Sequence, residues 1–239
     1  MFLSIVIPVY NESKKIALDL EKATSFLKRH KMDGEIIVVD DGSFDQTASV
    51  VNRMIGKTEG NIVFISFRPN KGKGYAVKRG IFQAQGDIIL FIDSGNCVPY
   101  DDILHGIRVI SEGEADIAHA SRYMQGSVIT TPRKFHRHLF SWLFRKYIHL
   151  YSRFPRHLTD SQCGLKIYRG MVAKTLYSEL VTNGFLFDVE IILRAGIQGY
   201  RIIEFPIHWT PDPDSRLKPL PLILKINREL RQIKKIKYS

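Results

Sequence analysis

Acidic side chains stand directly off the ends of two apolar runs. In EIIVVDDGSFDQT (35–47) the adjacent carboxylates Asp40 and Asp41 close the run, and in GDIILFIDSGN (86–96) Asp93 does so. Between them, NKGKG (70–74) sets Lys71 and Lys73 among glycines. A carboxylate in such a place can act as a ligand, for instance to a hard divalent cation, which prefers oxygen ligands. Lysines and free backbone N–H groups at the start of a helix suit phosphate oxygens. Each motif alone also has a purely architectural reading. Asp-Asp-Gly-Ser serves a strand-to-helix turn, with Ser43 or Asp45 capping the helix that follows. NKGKG lacks the Gly-Lys-Ser/Thr of a Walker A loop, and a lone Asp93 caps as readily as it binds. Zinc chemistry is not indicated: Cys97 and Cys163 have no C-x-x-C spacing, and His136 and His138, two apart, diverge on a helix.

An alternation of strands and helices must place these side chains. LSIVIPV (3–9) is a continuous apolar, β-branched run, and Ile16, Leu20, Ala23 and Leu27 follow it at helical spacing. EIIVV (35–39) precedes a helix-like 45–57, NIVFISF (61–67) precedes 73–85, and DIILFI (87–92) precedes 101–111. Apolar strands alternating with helices predict an α/β fold with a mostly parallel sheet buried on both faces. Ligands of such sheets bind outside the carboxyl ends of the strands, where Asp40, Asp41 and Asp93 fall. Beyond residue 115 the pattern loosens into a short strand at DIAHA (116–120), a basic and aromatic segment from Arg133 to Phe154, a mixed region and a basic tail. With 239 residues, 44% of them hydrophobic, the chain suffices for one domain with a sizeable core, which excludes disorder throughout. A formal net charge of +11 points to an anionic partner: nucleic acid, a membrane surface or a phosphorylated substrate. MFLSIVIPVYNES reads as a strand rather than a signal peptide, and no apolar run approaches the roughly 18 residues of a membrane-spanning helix. Two unpaired cysteines set a reducing, cytosolic expectation.

Taken in order, VIPVYNE (6–12), VVDDGSFDQT (38–47), NKGKGYAVKRG (70–80), GDIILFIDSGN, ASRY (120–123), DSQCGLKIYRG (160–170), FLFDVEIILRA (185–195) and EFPIHW (204–209) form a set. With it the chain resembles the family 2 glycosyltransferases of GT-A fold, and within them the polyprenyl-phosphate (dolichyl-phosphate) sugar synthases. FDVE followed by HW is closer to the β-glucosyltransferase branch than to the mannose branch. The resemblance runs from about Ile5 to about Arg216. It implies a nucleotide-sugar donor, UDP-glucose ahead of GDP-mannose, and a polyprenyl phosphate acceptor. By the same resemblance Pro8, Tyr10, Glu12 and Asp41 line the nucleotide pocket, with Asp41 accepting from the base, and Lys73 and Gly74 border it. Asp40 is divided between contact and orienting its turn.

One departure matters: the family's Asp-x-Asp after the fourth strand here reads Asp93-Ser94-Gly95-Asn96. Mg²⁺ or Mn²⁺ is therefore expected on Asp93 with Asn96, held more weakly than usual, and the same loss would suit a relative that binds a nucleotide sugar without catalysis. Arg216 in DSR (214–216) stands where the family has lysine, near the leaving diphosphate. Arg122 and Arg133 match acceptor-phosphate positions, and Asp160, accompanied by Gln162, is expected to take part in the reaction. Asp188 and Glu190, two apart on a helix, leave at most one toward the site. Another saccharide or lipid acceptor would suit the same framework. Nucleic-acid binding, which the charge permits, has no helix-turn-helix, zinc or RNA-recognition signature behind it.

These readings divide the chain into a transferase domain over 1–215 and a basic amphipathic tail over 216–239. Within the domain, 131–154 reads as a basic interfacial helix. From Ile117 to Thr159 there is no acidic residue, while Arg133, Lys134, Arg137, Arg145 and Lys146 alternate with Phe135, Phe140, Trp142 and Phe144. Such a segment is composed to lie in a membrane interface, cations against anionic head groups. The tail repeats the pattern with Leu220, Ile223, Ile226, Leu230 and Ile233 among Lys225, Arg228, Arg231, Lys234 and Lys235. The expectation is a peripheral enzyme on the cytoplasmic face of a membrane; the alternative is two ordinary amphipathic helices docked on the core.

Overall fold

The computed structural model describes residues 1–131, 146, 154–155, 157–212 and 219–236, without the side chains of 219–225. The first half alternates as its periodicity predicts: β1 (Phe2–Val9), α1 (Ile16–Arg29), β2 (Asp33–Asp40), α2 (Thr47–Ile55), β3 (Ile62–Ser66), α3 (Lys73–Gln83), β4 (Ile88–Ile92) and α4 (Ile103–Ser111). A 3-10 turn (Tyr100–Asp102) leads into α4, and the other described elements are β5 (Ile117–Ser121), β6 (Val128–Ile129), β7 (Leu165–Arg169), α5 (Gly170–Ser178), α6 (Phe187–Ile197), β8 (Ile202–Pro206), β9 (His208–Trp209) and α7 (Pro219–Ile233). Seven strands form one sheet in the order β3-β2-β1-β4-β7-β5-β8, and β6 pairs with β9 in a separate ribbon. All pairings in the large sheet are parallel except those of β7, which runs antiparallel between β4 and β5.

Period-two alternation explains how uniformly apolar runs become central strands. In β1, Leu3, Ile5, Ile7 and Val9 pack in one core with Ile16, Leu20, Ala23 and Leu27 of α1, and Val6 packs in the other with Ala76, Val77 and Ile81 of α3. β2 and β4 divide the same way, Ile36, Val38, Leu90 and Ile92 against Ile37, Val39, Ile89 and Phe91. Each such side chain contributes about 1.5–3 kcal/mol by its burial, so both faces hold helices against the sheet. Pro8 is tolerated here because the ladder to β4 stops at the Val6–Phe91 pair.

The tail does not behave as expected. Ile226, Leu230 and Ile233 of α7 are buried with Leu158, Leu186, Val189 and Ile192. Glu229 accepts from the N–H groups of Gly184 (2.6 Å) and Leu186 (3.0 Å). This corrects the reading of the tail as a helix with its apolar stripe in a bilayer: over 226–233 the protein's own core takes the stripe, and Arg228, Arg231, Lys234 and Lys235 are left outside. Apart from Thr131, Lys146, Phe154 and Pro155, the basic stretch from 131 to 156 lies outside the described residues, Arg133, Arg137 and Arg145 included, as does Arg216. No helix among the described residues is long and apolar enough to cross a membrane.

Candidate active site

From β1 the sheet grows outward through β2 and β3 on one side and through β4 on the other. The carboxyl ends of β1 and β4 therefore flank a topological switch point, the place where open α/β sheets bind ligands. The loops that follow β1, β2, β3 and β4 knit together around it.

Asp40 and Asp41 have different tasks. Asp40 turns back on its own loop, where Oδ1 accepts from the N–H (2.9 Å) and the hydroxyl of Ser43. The Asp41 carboxylate reaches to the loop ahead of α3 and accepts from Asn70 Nδ2 (2.8 Å) and from the N–H groups of Lys71 (2.7 Å) and Gly72 (2.8 Å). Burial raises its pKa, partly offset by the two backbone donors. Asp41 Oδ1 has one hydrogen-bond partner among the described residues, so a lone pair remains for a base N–H. Beside it Tyr10 packs edge-on against Phe44, ring centroids 6.4 Å apart, and the Arg68 guanidinium lies 5.7 Å from the Phe44 ring. Phe44 is 75% exposed, a flat apolar face of the kind a nucleobase covers; the sequence reading did not single it out. Glu12 lies on the same side, paired with Lys15.

The phosphate-cradle reading of NKGKG is corrected. The N–H groups of Lys71 and Gly72 go to Asp41, and those of Gly74 and Tyr75 to the carbonyls of Gly184 and Asn183, both 3.2 Å. The N–H groups of Lys71, Gly72 and Gly74 are thus committed inside the protein, which leaves the lysine side chains as the main groups for an anion. Gly74 is a packing glycine: a Cβ there would lie 2.7 Å from Cβ of Phe187 and 2.9 Å from the Thr182 carbonyl.

Lys73 reaches from α3 to Asp93, its Nζ 2.6 Å from Oδ1 and 2.9 Å from Oδ2. Burial disfavours this ammonium, yet Asp93 and then Asp188 outweigh it and its pKa is raised. Fully buried Lys166 donates to Asp188 (2.6 Å) and to the Cys163 carbonyl (3.1 Å). Burial raises the Asp188 pKa against the pull of Lys166 and Lys73. Glu190 instead accepts from the N–H groups of Val181 (2.9 Å) and Thr182 (2.8 Å) and from Arg194 (2.7 Å), so one of the two acids serves the site. The Asp93 carboxylate lies directly on Gly164, where a Cβ would fall 2.0 Å from Oδ2; no other residue fits there.

The loop after Asp93 is shaped by Asp19, which the sequence reading missed. From the buried face of α1 it accepts from Ser94 Oγ (2.6 Å) and from the N–H groups of Gly95 and Asn96 (both 3.1 Å). Burial raises its pKa. A signal existed: a carboxylate at 19 falls among Ile16, Leu20 and Ala23 on the apolar side of the helix. Asp212, also unanticipated, takes Lys15 Nζ at 2.7 Å, and Lys15 pairs with Glu12 at 2.8 Å. The Cys97 thiol, pushed up to about 12 by burial and then by Asp93, Asp212 and Asp19, is held unreactive.

No three His, Cys, Asp or Glu side chains among the described residues form a ready metal cage. The expected pair nevertheless suits the chemistry of a hard divalent cation. Asp93 brings a part-exposed carboxylate, and the side-chain oxygen of Asn96 is buried with no hydrogen-bond partner among the described residues.

At the opposite end the structure joins two expected residues to each other. Arg122 Nε donates to Asp160 Oδ2 (2.6 Å) and Nη2 to Oδ1 (2.8 Å), and its backbone N–H adds a bond to Oδ2 (3.2 Å). The Gln162 N–H donates to Oδ1 (3.1 Å), while its side chain is bound to the Phe185 carbonyl (3.0 Å). Burial would raise the Asp160 carboxyl, but Arg122 holds it well below the usual carboxylate range. Trp209 and Tyr123 flank the guanidinium at 5.4 and 5.6 Å. Glu204 fixes the Asp160 N–H at 2.9 Å, and the His119 ring donates to the Asp160 carbonyl. Burial lowers His119 to about 3, so it is neutral. Asp160 is completely buried with both oxygens engaged; it is a positioning residue for Arg122 and not a carboxylate that meets the substrate. Four residues on, Gly164 touches Asp93, so one short segment ties the two ends together.

Residues 4–176 match the family described as glycosyl transferase family 2. The chain is 30% identical to a dolichyl-phosphate beta-glucosyltransferase of Dictyostelium discoideum, over 98% of this chain and 74% of the relative. To the protein of that name in Saccharomyces cerevisiae it is 32% identical, over 91% and 69%. Among solved structures, glucosyl-3-phosphoglycerate synthase from Mycobacterium tuberculosis with Mn²⁺, UDP and phosphoglyceric acid aligns with a TM-score of 0.72 at 19% identity, covering 98% of this chain and 77% of the other. A complex of the same enzyme with Mn²⁺, UDP-glucose and phosphoglyceric acid gives 0.71, also at 19%, covering 98% and 78%. At such identity the structural likeness speaks for the shared fold.

Proposed function

The chain belongs to glycosyl transferase family 2, and we propose that it transfers glucose from UDP-glucose to a polyprenyl phosphate. The names of the relatives, similar over nearly the whole chain, support the donor and acceptor classes. The observation that carries the acceptor class is the state of Asp160. A hydroxyl acceptor asks for a general base, and the carboxylate expected on that side is buried and committed to Arg122. A phosphate monoester needs no base, since it is already largely dianionic near neutral pH; it asks for cations instead. Arg122, its plane fixed by Asp160 and two aromatic rings, has no partner for Nη1 among the described residues and offers it to that phosphate; Arg133, outside the described residues, keeps its expected part in binding the same group.

In this reading the phosphate oxygen attacks the anomeric carbon from the face opposite the departing UDP. The new C–O bond forms as the bond to the diphosphate breaks, and the configuration inverts. Asp41, Tyr10 and Phe44 hold the base, with Pro8 and Glu12 beside them. Lys73 and Arg216 offset the charge growing on the leaving diphosphate. Mg²⁺ or Mn²⁺ held by Asp93 and Asn96 would add Lewis-acid neutralisation of the same group. Purified protein given UDP-glucose and polyprenyl phosphate should release UDP and form a glucosylated lipid phosphate. Equal transfer to the dephosphorylated polyprenol would sink the base-free reading, and preference for GDP-mannose would move the donor assignment.

The proposal includes a place at the cytoplasmic face of a membrane. Its support is the acid-free, basic and aromatic sequence between Ile117 and Thr159, together with an acceptor phosphate that sits at head-group level. Neutralising Arg137, Arg145 and Lys146 together should reduce sedimentation with anionic vesicles and slow lipid transfer; unchanged sedimentation would remove the support.

A further inference from the structure

The loss of an acidic residue at position 95 leaves a question about what completes the cation site. We infer that Asp212, on the segment after β9, supplies a divalent cation with the carboxylate that Gly95 lacks, joining Asp93; this rests on the nucleotide-sugar reading above. A Cβ built on Gly95 would lie 3.5 Å from Oδ2 and 3.6 Å from Cγ of Asp212. A carboxylate is therefore already beside position 95, delivered from a distant part of the chain. An acidic side chain at 95 would crowd it with like charge, so the two placements exclude each other. Gly95 has φ +104°, a conformation that side chains other than hydrogen rarely adopt.

The placement of Asp212 is built rather than incidental. The Thr210 N–H donates to the Cys97 carbonyl at 2.8 Å, which registers the 210–212 segment against the 95–97 loop. Asp19 pins the other side of that loop through the N–H groups of Gly95 and Asn96. The buried side-chain oxygen of Asn96, without a hydrogen-bond partner among the described residues, is a third oxygen donor in the same loop. Two carboxylates and an amide oxygen make a hard donor set suited to Mg²⁺ or Mn²⁺. Asp212 now carries the ammonium of Lys15, a single point charge on a flexible stem. Lys15 also holds Glu12, so it keeps a partner when it yields Asp212.

Mn²⁺ titration followed by the electron paramagnetic resonance of the free ion, with UDP present, tests this on the full chain. Asp212→Asn should weaken Mn²⁺ binding by about 10-fold or more, with UDP affinity in the absence of metal unchanged. Lys15→Met, which removes the competing ammonium, should bind Mn²⁺ at least as tightly as the wild type. Wild-type Mn²⁺ affinity in Asp212→Asn would overturn the inference. So would an equal loss in Lys15→Met, which would mean that Asp212 acts only through its ion pair. Wild-type protein that binds UDP but no Mn²⁺ would overturn the inference and leave the transferase reading standing; failure to bind UDP or UDP-glucose under any condition would overturn both.

Discussion

Asp93 and Asp160 each meet a cation at 2.6 Å, yet 39% of the Asp93 side chain is exposed against 1% of Asp160. Their partners differ in kind. Lys73 is a point charge on a flexible stem, whereas Arg122 offers a planar fork that grips both carboxylate oxygens. On the proposed reading a diphosphate arrives and leaves at the donor end in each cycle, and there the carboxylates of Asp93 and Asp212 hold lysines that can let go. At the acceptor end the carboxylate is part of the frame and the cation is the presented group. The chemistry at each end thus follows from which partner of the pair remains reachable by solvent.

The largest expected break in this contrast is Asp160→Asn. Removing one charge of a buried pair strands the other, at a cost of about 3–5 kcal/mol, which should lower the melting temperature by roughly 10 °C. A variant that melts like the wild type would mean that the acceptor end is no more fixed than the donor end. Asp93→Ala should do the reverse: an unchanged melt, because Lys73 can rehydrate, with turnover reduced roughly 10³-fold. Undiminished activity, with no response to a chelator, would place the donor chemistry elsewhere.

Asp41→Ala sharpens the comparison within the donor end, since its carboxylate holds the loop at 70–72 and, on the proposed reading, also takes the base. UDP binding by calorimetry should weaken roughly 10-fold, in line with one buried acceptor lost. The smallest effect comes from pH. His119 stays neutral in the fold down to about pH 3, while its unfolded counterpart takes a proton from about 6.5 downward. The unfolded state therefore binds more protons in that window, and stability falls as pH falls. Between pH 6.5 and 5.5 the loss is at most about 1.4 kcal/mol. Urea unfolding should show a shallower slope for His119→Gln; an identical slope would remove His119 from the acid response.

The elements β1 to β4 and α1 to α4 were legible because burial patterns of period 2 or 3.6 depend on residues close in the chain. β7 was not: Leu165–Arg169 contains Lys166, whose burial depends on Asp188, 22 residues on. Asp19 looked like an exception on an apolar helix face until the loop it holds was in place. Gly74 and the N–H groups of NKGKG resembled a phosphate site, yet the segment at 182–187 takes Gly74 and Asp41 takes the N–H groups of Lys71 and Gly72.

By itself, the sequence determined that carboxylates would stand at the carboxyl ends of parallel strands, since strand, turn and helix are local patterns. Only the tertiary structure decided which cation each carboxylate meets. Asp93 finds Lys73 across 20 residues, Asp160 finds Arg122 across 38, and Asp212 finds Lys15 across 197. Spacing specifies the face of an element on which a side chain emerges. The partner is chosen by how elements pack, and with it whether a carboxylate is sealed into the frame or left where water and ions reach it.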